Sequence, residues 1–289
     1  MRSNRTVQWT FGLLVILFLL CFLGPVFSPY SSDILSENQF SPPSIQHWMG
    51  TDINGRDVLT MTMEGGRVSL LVGLVGASIS LIVGTFYGMI SGYLGGKTDA
   101  IMMRFVDILF SLPRIVIVMV LIAIFDFKVK EYMDVLGWDW LVRYSRIILL
   151  FACLGLVQWL TMARIVRGQV LSLKQRQFVM ASQTMGQSDW QIMIKHLLPN
   201  LIGIVIVYLT LTIPTVILEE SFLSFLGLGV QAPQASWGTL LDDARKMINP
   251  IKIYWWLLLA PSLFMGLTLL SLNFLGDALR DILDPSSNK

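Results

Sequence analysis

The stretch LIGIVIVYLTLTIPTVIL, Leu201 to Leu218, carries no charged residue and is long enough to cross a bilayer as a helix. A hydrocarbon core about 30 Å thick needs about 20 helical residues. The run is continuous and does not alternate, which argues for a helix, whose backbone groups satisfy one another in lipid, over a barrel strand. It extends to Leu223, and runs of the same kind occur at Val7–Phe27, Val68–Ile90, Ile101–Phe125, Ile147–Ala163 and Tyr254–Leu275. The sequence therefore predicts an all-α integral membrane protein with about six transmembrane helices. Composition agrees: 54% of the 289 residues are apolar and 14% charged, against roughly one quarter charged in soluble domains. The mean hydropathy is +0.67. With a net charge of +2 and its 21 basic residues scattered, the chain offers no track for nucleic acid, so membrane lipid is an expected partner and nucleic acid is not.

Arg2 and Arg5 precede the first run in the manner of a secretory signal, but the run exceeds the 7 to 15 residues of a cleaved h-region, so it reads as a retained anchor. The expected division is an N-terminal anchor and extracytoplasmic segment over 1–66 and a transmembrane domain over 67–289. Cys21 and Cys153 each lie inside an apolar run and read as packing residues. Along the second span Gly76, Ser80, Gly84, Gly88 and Gly92 recur every fourth position, a face that lets another helix approach closely. Close packing explains that stripe before any transport pathway does. Pro113, Pro214 and Pro261 fall inside later spans, where kinks are tolerated.

Six spans place both termini on one side. Arg164, Arg167, Lys174, Arg176 and Lys195 cluster around the segment after span four, which assigns that segment and both termini to the cytoplasm. The segment, Arg167 to Asn200, is too polar to cross the bilayer yet is patterned as two helices with a sharp joint. Phe178, Ala181 and Met185 give the first helix an apolar stripe, and Gly186 is placed to end it. Ser188-Asp189-Trp190-Gln191 offers a capping box to open the second, which is expected to run to Leu198-Pro199. Such a helix-turn-helix, fixed at both ends to membrane helices, suits a dock for a soluble partner; a plain amphipathic hairpin on the membrane surface is the competing reading.

Met180-Ala181-Ser182, Gly186, Ile194 and Leu198-Pro199 together resemble the signature cytoplasmic loop of ATP-binding-cassette importer permeases, which reads Glu-Ala-Ala, Gly, Leu-Pro. The family's Glu is Met180 here, so a salt bridge from that position to the ATPase is missing. Further stretches are similar to the second permease of dipeptide, oligopeptide and nickel importers: Gly50 to Asp57, Gly92 to Gly96 with Met103-Arg104 and Asp107, Ala163 to Gly168, Glu220 to Gly229 with Pro233 and Ser236-Trp237-Gly238, and Asn273 to Asp277 followed by Asp284-Pro285. The segment Asp126 to Arg146, with Trp138, Trp140 and Tyr144, departs from the family and reads as an interfacial helix. The resemblance implies a bacterial inner-membrane permease that forms a substrate path with a second permease. It implies two cytoplasmic ATPase subunits that bind ATP and Mg, and an extracytoplasmic binding protein; this chain would bind no cofactor. The implied coupling residues are Phe178, Met180, Ala181, Ser182, Met185, Gly186, Ser188, His196 and Pro199. Peptide is the expected cargo and nickel the alternative.

Catalytic chemistry is not indicated, and the chain is not expected to be an enzyme. Ser91 to Thr98 nearly matches a P-loop, but Ser91 replaces the first Gly and a membrane span precedes it, so it reads as a turn. His47 and His196 are far apart, and no Cys pair stands at metal spacing. Charges inside spans cost about 2.5 to 3.5 kcal/mol each and need a pocket, a partner or water. Asp107 and Arg114, seven residues apart and expected on one face of one helix, are candidates for a polar seam along the path; Glu220, beside the extra Glu219, is a candidate for a gate. An ion-coupled secondary transporter is the other class to weigh, although it often shows two related halves and no internal repeat is seen.

Overall fold

The computed structural model describes residues 2–31, 34–142, 144–232, 234–248 and 252–283; Pro233 and Asp284-Pro285 lie outside the described residues, as do the side chains of Arg2, Arg5 and Trp140. The described elements are helices: α1 (Arg2–Phe27), α2 (Val58–Leu94), α3 (Gly96–Ser111), α4 (Arg114–Val135), α5 (Asp139–Val142), α6 (Ser145–Leu173), α7 (Gln177–Thr184), α8 (Asp189–Ile192), a π turn (Met193–Leu197), α9 (Leu198–Phe225), α10 (Trp237–Lys246) and α11 (Trp255–Leu283).

Five helices are long and apolar enough to span a membrane, and α3 with α4, bent by 89° at Leu112-Pro113, pass the same test together, which gives six if the bent pair is one span. The third span is thus not one helix. Pro113 has no N–H to continue α3, and Leu112 before it is extended, as a residue preceding proline prefers. The pair reaches both ends of α6, as a single span would: Asp99 in α3 meets Arg167 near the end of α6 whereas Asp126 in α4 meets Arg146 near its start. By the same logic α1 ends where α2 begins, with Ser28 Oγ 2.7 Å from Thr60 Oγ1, and α11 begins there too, with Trp256 donating to the Thr51 carbonyl. The far ends of α1 and α11 therefore lie at the end of the bundle that carries α7 and α8.

The second helix begins ten residues earlier than the apolar run suggests, so position 66 falls inside it. Asp57 caps it, accepting from Thr60 N at 2.8 Å, and the early turns carry Glu64 and Arg67. Arg67 is held by the Phe22 carbonyl at 3.0 Å.

The small-residue stripe of α2 lies against α6. A methyl added at Gly84 would sit 2.8 Å from the Trp159 carbonyl oxygen, and one at Gly155 would sit 2.9 Å from the Gly76 carbonyl. Backbone meets backbone along this seam, as small residues permit in a membrane bundle. Packing within the chain accounts for the stripe. Cys21 and Cys153 are buried in the apolar core.

The segment Asp126 to Arg146 is not a separate interfacial helix. Its first part continues α4 to Val135, and Asp126 and Arg146 form an ion pair at 2.9 Å while Arg146 also donates to the carbonyls of Leu228 and Gly229. A charge pair with two further hydrogen bonds fixes the middle of α4 to the bundle, which pattern reading of aromatic residues does not reveal.

Candidate functional site

Beyond Leu173 the chain leaves α6 and forms a compact joint. α7 ends with Gly186 at φ 75°, where Gly186 N donates to the Gln183 carbonyl and Gln187 N to the Ser182 carbonyl. These paired bonds, with a left-handed residue between helices, are a Schellman ending, which glycine adopts without strain. Ser188 then caps α8, and both halves of the capping box with Gln191 are present.

The second helix does not stop at Leu198-Pro199. Through one π turn α8 runs on into α9, giving one helical rod from Asp189 to Phe225. A proline ring normally clashes with the carbonyl four residues back; the wider turn before Pro199, in which Leu198 N reaches the Met193 carbonyl, makes room for it. Proline alone therefore mispredicted a helix end.

The joint is tied to the bundle from inside. Tyr93, at the end of α2, donates from its hydroxyl to Asp189 Oδ1 at 2.9 Å and accepts from Gln183 Nε2 at 3.4 Å. Lys174 donates to the Tyr93 carbonyl and sits over its ring. Arg167 forms a two-pronged ion pair with Asp99, to which Ser91 also donates. Val179, Ile192 and Leu197 are fully buried and join Met89, Val166 and Val170 in one apolar cluster. Replacing Tyr93 with Phe removes two hydrogen bonds and keeps the ring. We expect amide exchange over 177–192 to rise roughly fivefold, equivalent to about 1 kcal/mol, as measured by hydrogen–deuterium exchange.

The apolar stripe of the first helix faces outward. Phe178, Ala181 and Met185 are exposed, with Met180 and, on α8, Trp190, while Val179 and Ser182 form the buried side of α7. Ser182 Oγ bonds the Phe178 carbonyl, and His196 shares a 2.9 Å hydrogen bond with Gln187 across the joint. Met185 is 73% exposed and Trp190 56%. A rigid joint thus presents large apolar side chains to its surroundings, the mark of a surface built for contact. Tyr93 and Asp99, which hold it, were not singled out from sequence, and Lys174 was read only as one of a basic cluster. They are distant in the chain, and only Tyr93 falls in a stretch that the family resemblance highlights.

The three candidate pathway residues do not converge. Asp107 and Arg114 lie on different helices across the 89° bend, so they share no helix face. Asp107 pairs with Arg164 at 2.7 Å, and Arg164 lies over the Phe110 ring. Arg114 instead donates to Gln158 Oε1 at 3.4 Å, and Gln158 Nε2 donates to Glu219 Oε1 at 2.7 Å. Glu220 is fully buried elsewhere, accepting from Ser224 at 2.6 Å and at longer range from Ser69 and Ser221. Ser69 in turn accepts from Trp237 N, and the Trp237 indole donates to the Thr62 carbonyl. Glu220 thus joins α2, α9 and the start of α10.

Residues 84–289 match the family described as binding-protein-dependent transport system inner membrane component. The chain is similar to the oligopeptide transport system permease protein OppC of Haemophilus influenzae, at 45% identity over 98% of this chain and 86% of the relative. It is 42% identical to the dipeptide transport system permease protein DppC of Bacillus subtilis, over 99% of this chain and 83% of the relative. It is 44% identical to the oligopeptide transport system permease protein OppC of Escherichia coli K12, over 98% and 87% respectively.

Proposed function

Because the chain belongs to the binding-protein-dependent transport system inner membrane component family, we propose that it is one of two permease subunits of an ATP-driven peptide importer. The observation that carries this reading is the α7–α8 joint. It is anchored to α2 by Tyr93, runs without interruption into α9, and exposes Phe178, Met180, Met185 and Trp190 to a partner. A stiff element with an apolar outer face passes displacement from a docked subunit to a membrane helix; a loose loop would absorb it. Two ATPase subunits would dock there on the cytoplasmic side of a bacterial inner membrane, which puts both termini on that side, and would handle ATP and Mg. A related permease would complete the path, and an extracytoplasmic binding protein would deliver the cargo. Met180 at the position of the family Glu means that the dock works through shape and apolar contact. The names of the relatives favour peptide over nickel as cargo.

The test is a mild-detergent pull-down of the tagged chain from its native membrane, followed by reconstitution with peptide. A second permease and Walker-motif ATPases should co-purify, and uptake should need ATP and the binding protein. A chain that purifies alone and moves its cargo on an ion gradient would instead be a secondary transporter.

A further inference from the structure

The break at Leu112-Pro113 sets a cation at mid-depth in the bundle. Arg114 is the first residue of α4, and it donates to Gln158, which lies near the midpoint of α6. Two effects oppose a positive charge there. Hydrocarbon depth is costly for any ion, and the N-terminal end of a helix, which Pro113 leaves without a side-chain cap, disfavours cations. Contacts within the chain offset little of this: the guanidinium makes one long bond, 3.4 Å to Gln158 Oε1, and a ring contact with Phe110. Its remaining N–H groups have no partner among the described residues, and none of them is sealed off by packing.

Arg114 lines a groove of about 370 Å³ between α4, α6 and α9, together with Gln158, Thr161, Tyr208, Thr212 and Thr215. No Asp or Glu is among the described residues that line it, so Arg114 supplies its charge. Glu219 lies behind: Gln158 Nε2 holds its Oε1 at 2.7 Å, and its Oε2 is buried. That carboxylate balances Arg114 through a neutral amide without reaching the groove. The hydroxyls of Thr212 and Thr215 donate to carbonyls of their own helix, which leaves their oxygens to accept from N–H groups of a ligand. This side of the bundle is not built for lipid. The groove between α1 and α11 is lined by Trp9, Leu13, Ile16, Leu270 and Phe274, as lipid contact requires, whereas here the exposed Asp107–Arg164 pair shares Phe110 with Arg114. Ionised groups facing hydrocarbon are costly, so water or protein meets this face.

We propose that Arg114 is a mid-membrane contact for the terminal carboxylate of the passing peptide, an inference that rests on the peptide-importer reading. A carboxylate matches the guanidinium in two parallel hydrogen bonds and relieves the charge that both hydrocarbon and helix dipole oppose. It is present on every peptide with a free C-terminus, so cargo of many side chains is read alike. The groove offers no charge to the amino end. Glu219, acting from behind Gln158, weakens the hold, as a site along a path requires, since cargo bound too tightly would not leave.

The experiment uses the complete reconstituted transporter with trialanine as cargo, whose one carboxylate is terminal. Arg114→Gln should lower uptake at least tenfold with the complex intact. Arg114→Gln combined with Glu219→Gln separates cargo reading from charge balance. If Arg114 served only to neutralise Glu219, the double variant would regain uptake; a carboxylate contact leaves it at least tenfold down. Uptake by the double variant within threefold of the unmodified transporter would overturn the proposal. Should the variants lose the second permease, Thr212→Cys decides, since Cys21 and Cys153 are buried. A charged, membrane-impermeant maleimide should label that thiol, and trialanine should slow labelling during ATP turnover. A thiol that is never labelled, or whose labelling ignores peptide, would mean that the groove meets protein and not cargo, and the proposal would fall. An unmodified complex that assembles but takes up no peptide would instead overturn the cargo reading itself, before any variant is compared.

Discussion

Gly186→Val is expected to lower peptide uptake per ATP hydrolysed at least tenfold while the chain still inserts and assembles. Gly186 sits at φ 75°, and a methyl there would meet nothing within 4 Å, so the whole penalty comes from the backbone. A left-handed residue with a side chain costs about 1 to 2 kcal/mol, and a β-branched one is a clear outlier. The joint relieves that strain by opening the paired bonds from Gly186 and Gln187, which swings α7 away from α8. The apolar core of the bundle does not involve this residue, so insertion is spared. Gly186→Asn is the control, since Asn tolerates the left-handed region better than other residues with a side chain, and it should retain most coupling. Parallel assays of ATP hydrolysis and uptake in liposomes make the comparison; normal uptake by the valine variant would remove the joint from the coupling path.

The largest loss of stability is expected from Gly88→Val. A side chain there points into α6, against the Ala163 carbonyl and 3.0 Å from Arg167 N. These are backbone atoms of a packed helix and cannot move aside as a flexible side chain could. Over-packing of this kind typically costs about 1 to 3 kcal/mol, and forcing two helices apart along a shared backbone seam belongs at the upper end or beyond. The same displacement would disturb Arg167 and its pairing with Asp99. The variant should be recovered at under one tenth of the normal membrane level and show no thermal transition as a purified complex. Near-normal yield with an unchanged midpoint would mean that α2 and α6 do not need their close approach.

Both expectations combine what the sequence reveals with what only the structure supplies. Apolar runs locate the spans because length and lack of charge are local properties, and the glycine stripe and the Ser188 capping box are equally local. The break at Leu112-Pro113 was harder: proline in a membrane helix can bend it or end it, and the outcome depends on neighbours that satisfy the freed groups. Pro199 shows the opposite result, continuing where a stop was expected because a π turn absorbs its ring. At the candidate site, Gly186 was legible from its place between two patterned stretches. The outward face of Phe178, Ala181 and Met185 was not, since an apolar stripe looks the same whether it meets its own chain or another. Gln158 was invisible for a different reason: it carries no charge, and its position between Arg114 and Glu219 depends on three helices distant in sequence.

The unbroken rod from Asp189 to Phe225 also has a mechanical gearing. It packs tightly on α2 near Gly73, where an added methyl would lie 2.6 Å from Ile217 Cγ1, and a contact that close suits a pivot. With the fulcrum there, the arm toward Trp190 is about 40 Å long and the arm toward Phe225 about 12 Å, at 1.5 Å per residue. A stroke at the docking end is then reduced roughly threefold in amplitude at the opposite end and multiplied by the same factor in force. If a soluble subunit docks there as proposed, its wide, weak motion would become short, strong motion beside Glu220 and Trp237, where tightly packed side chains leave little room for anything larger.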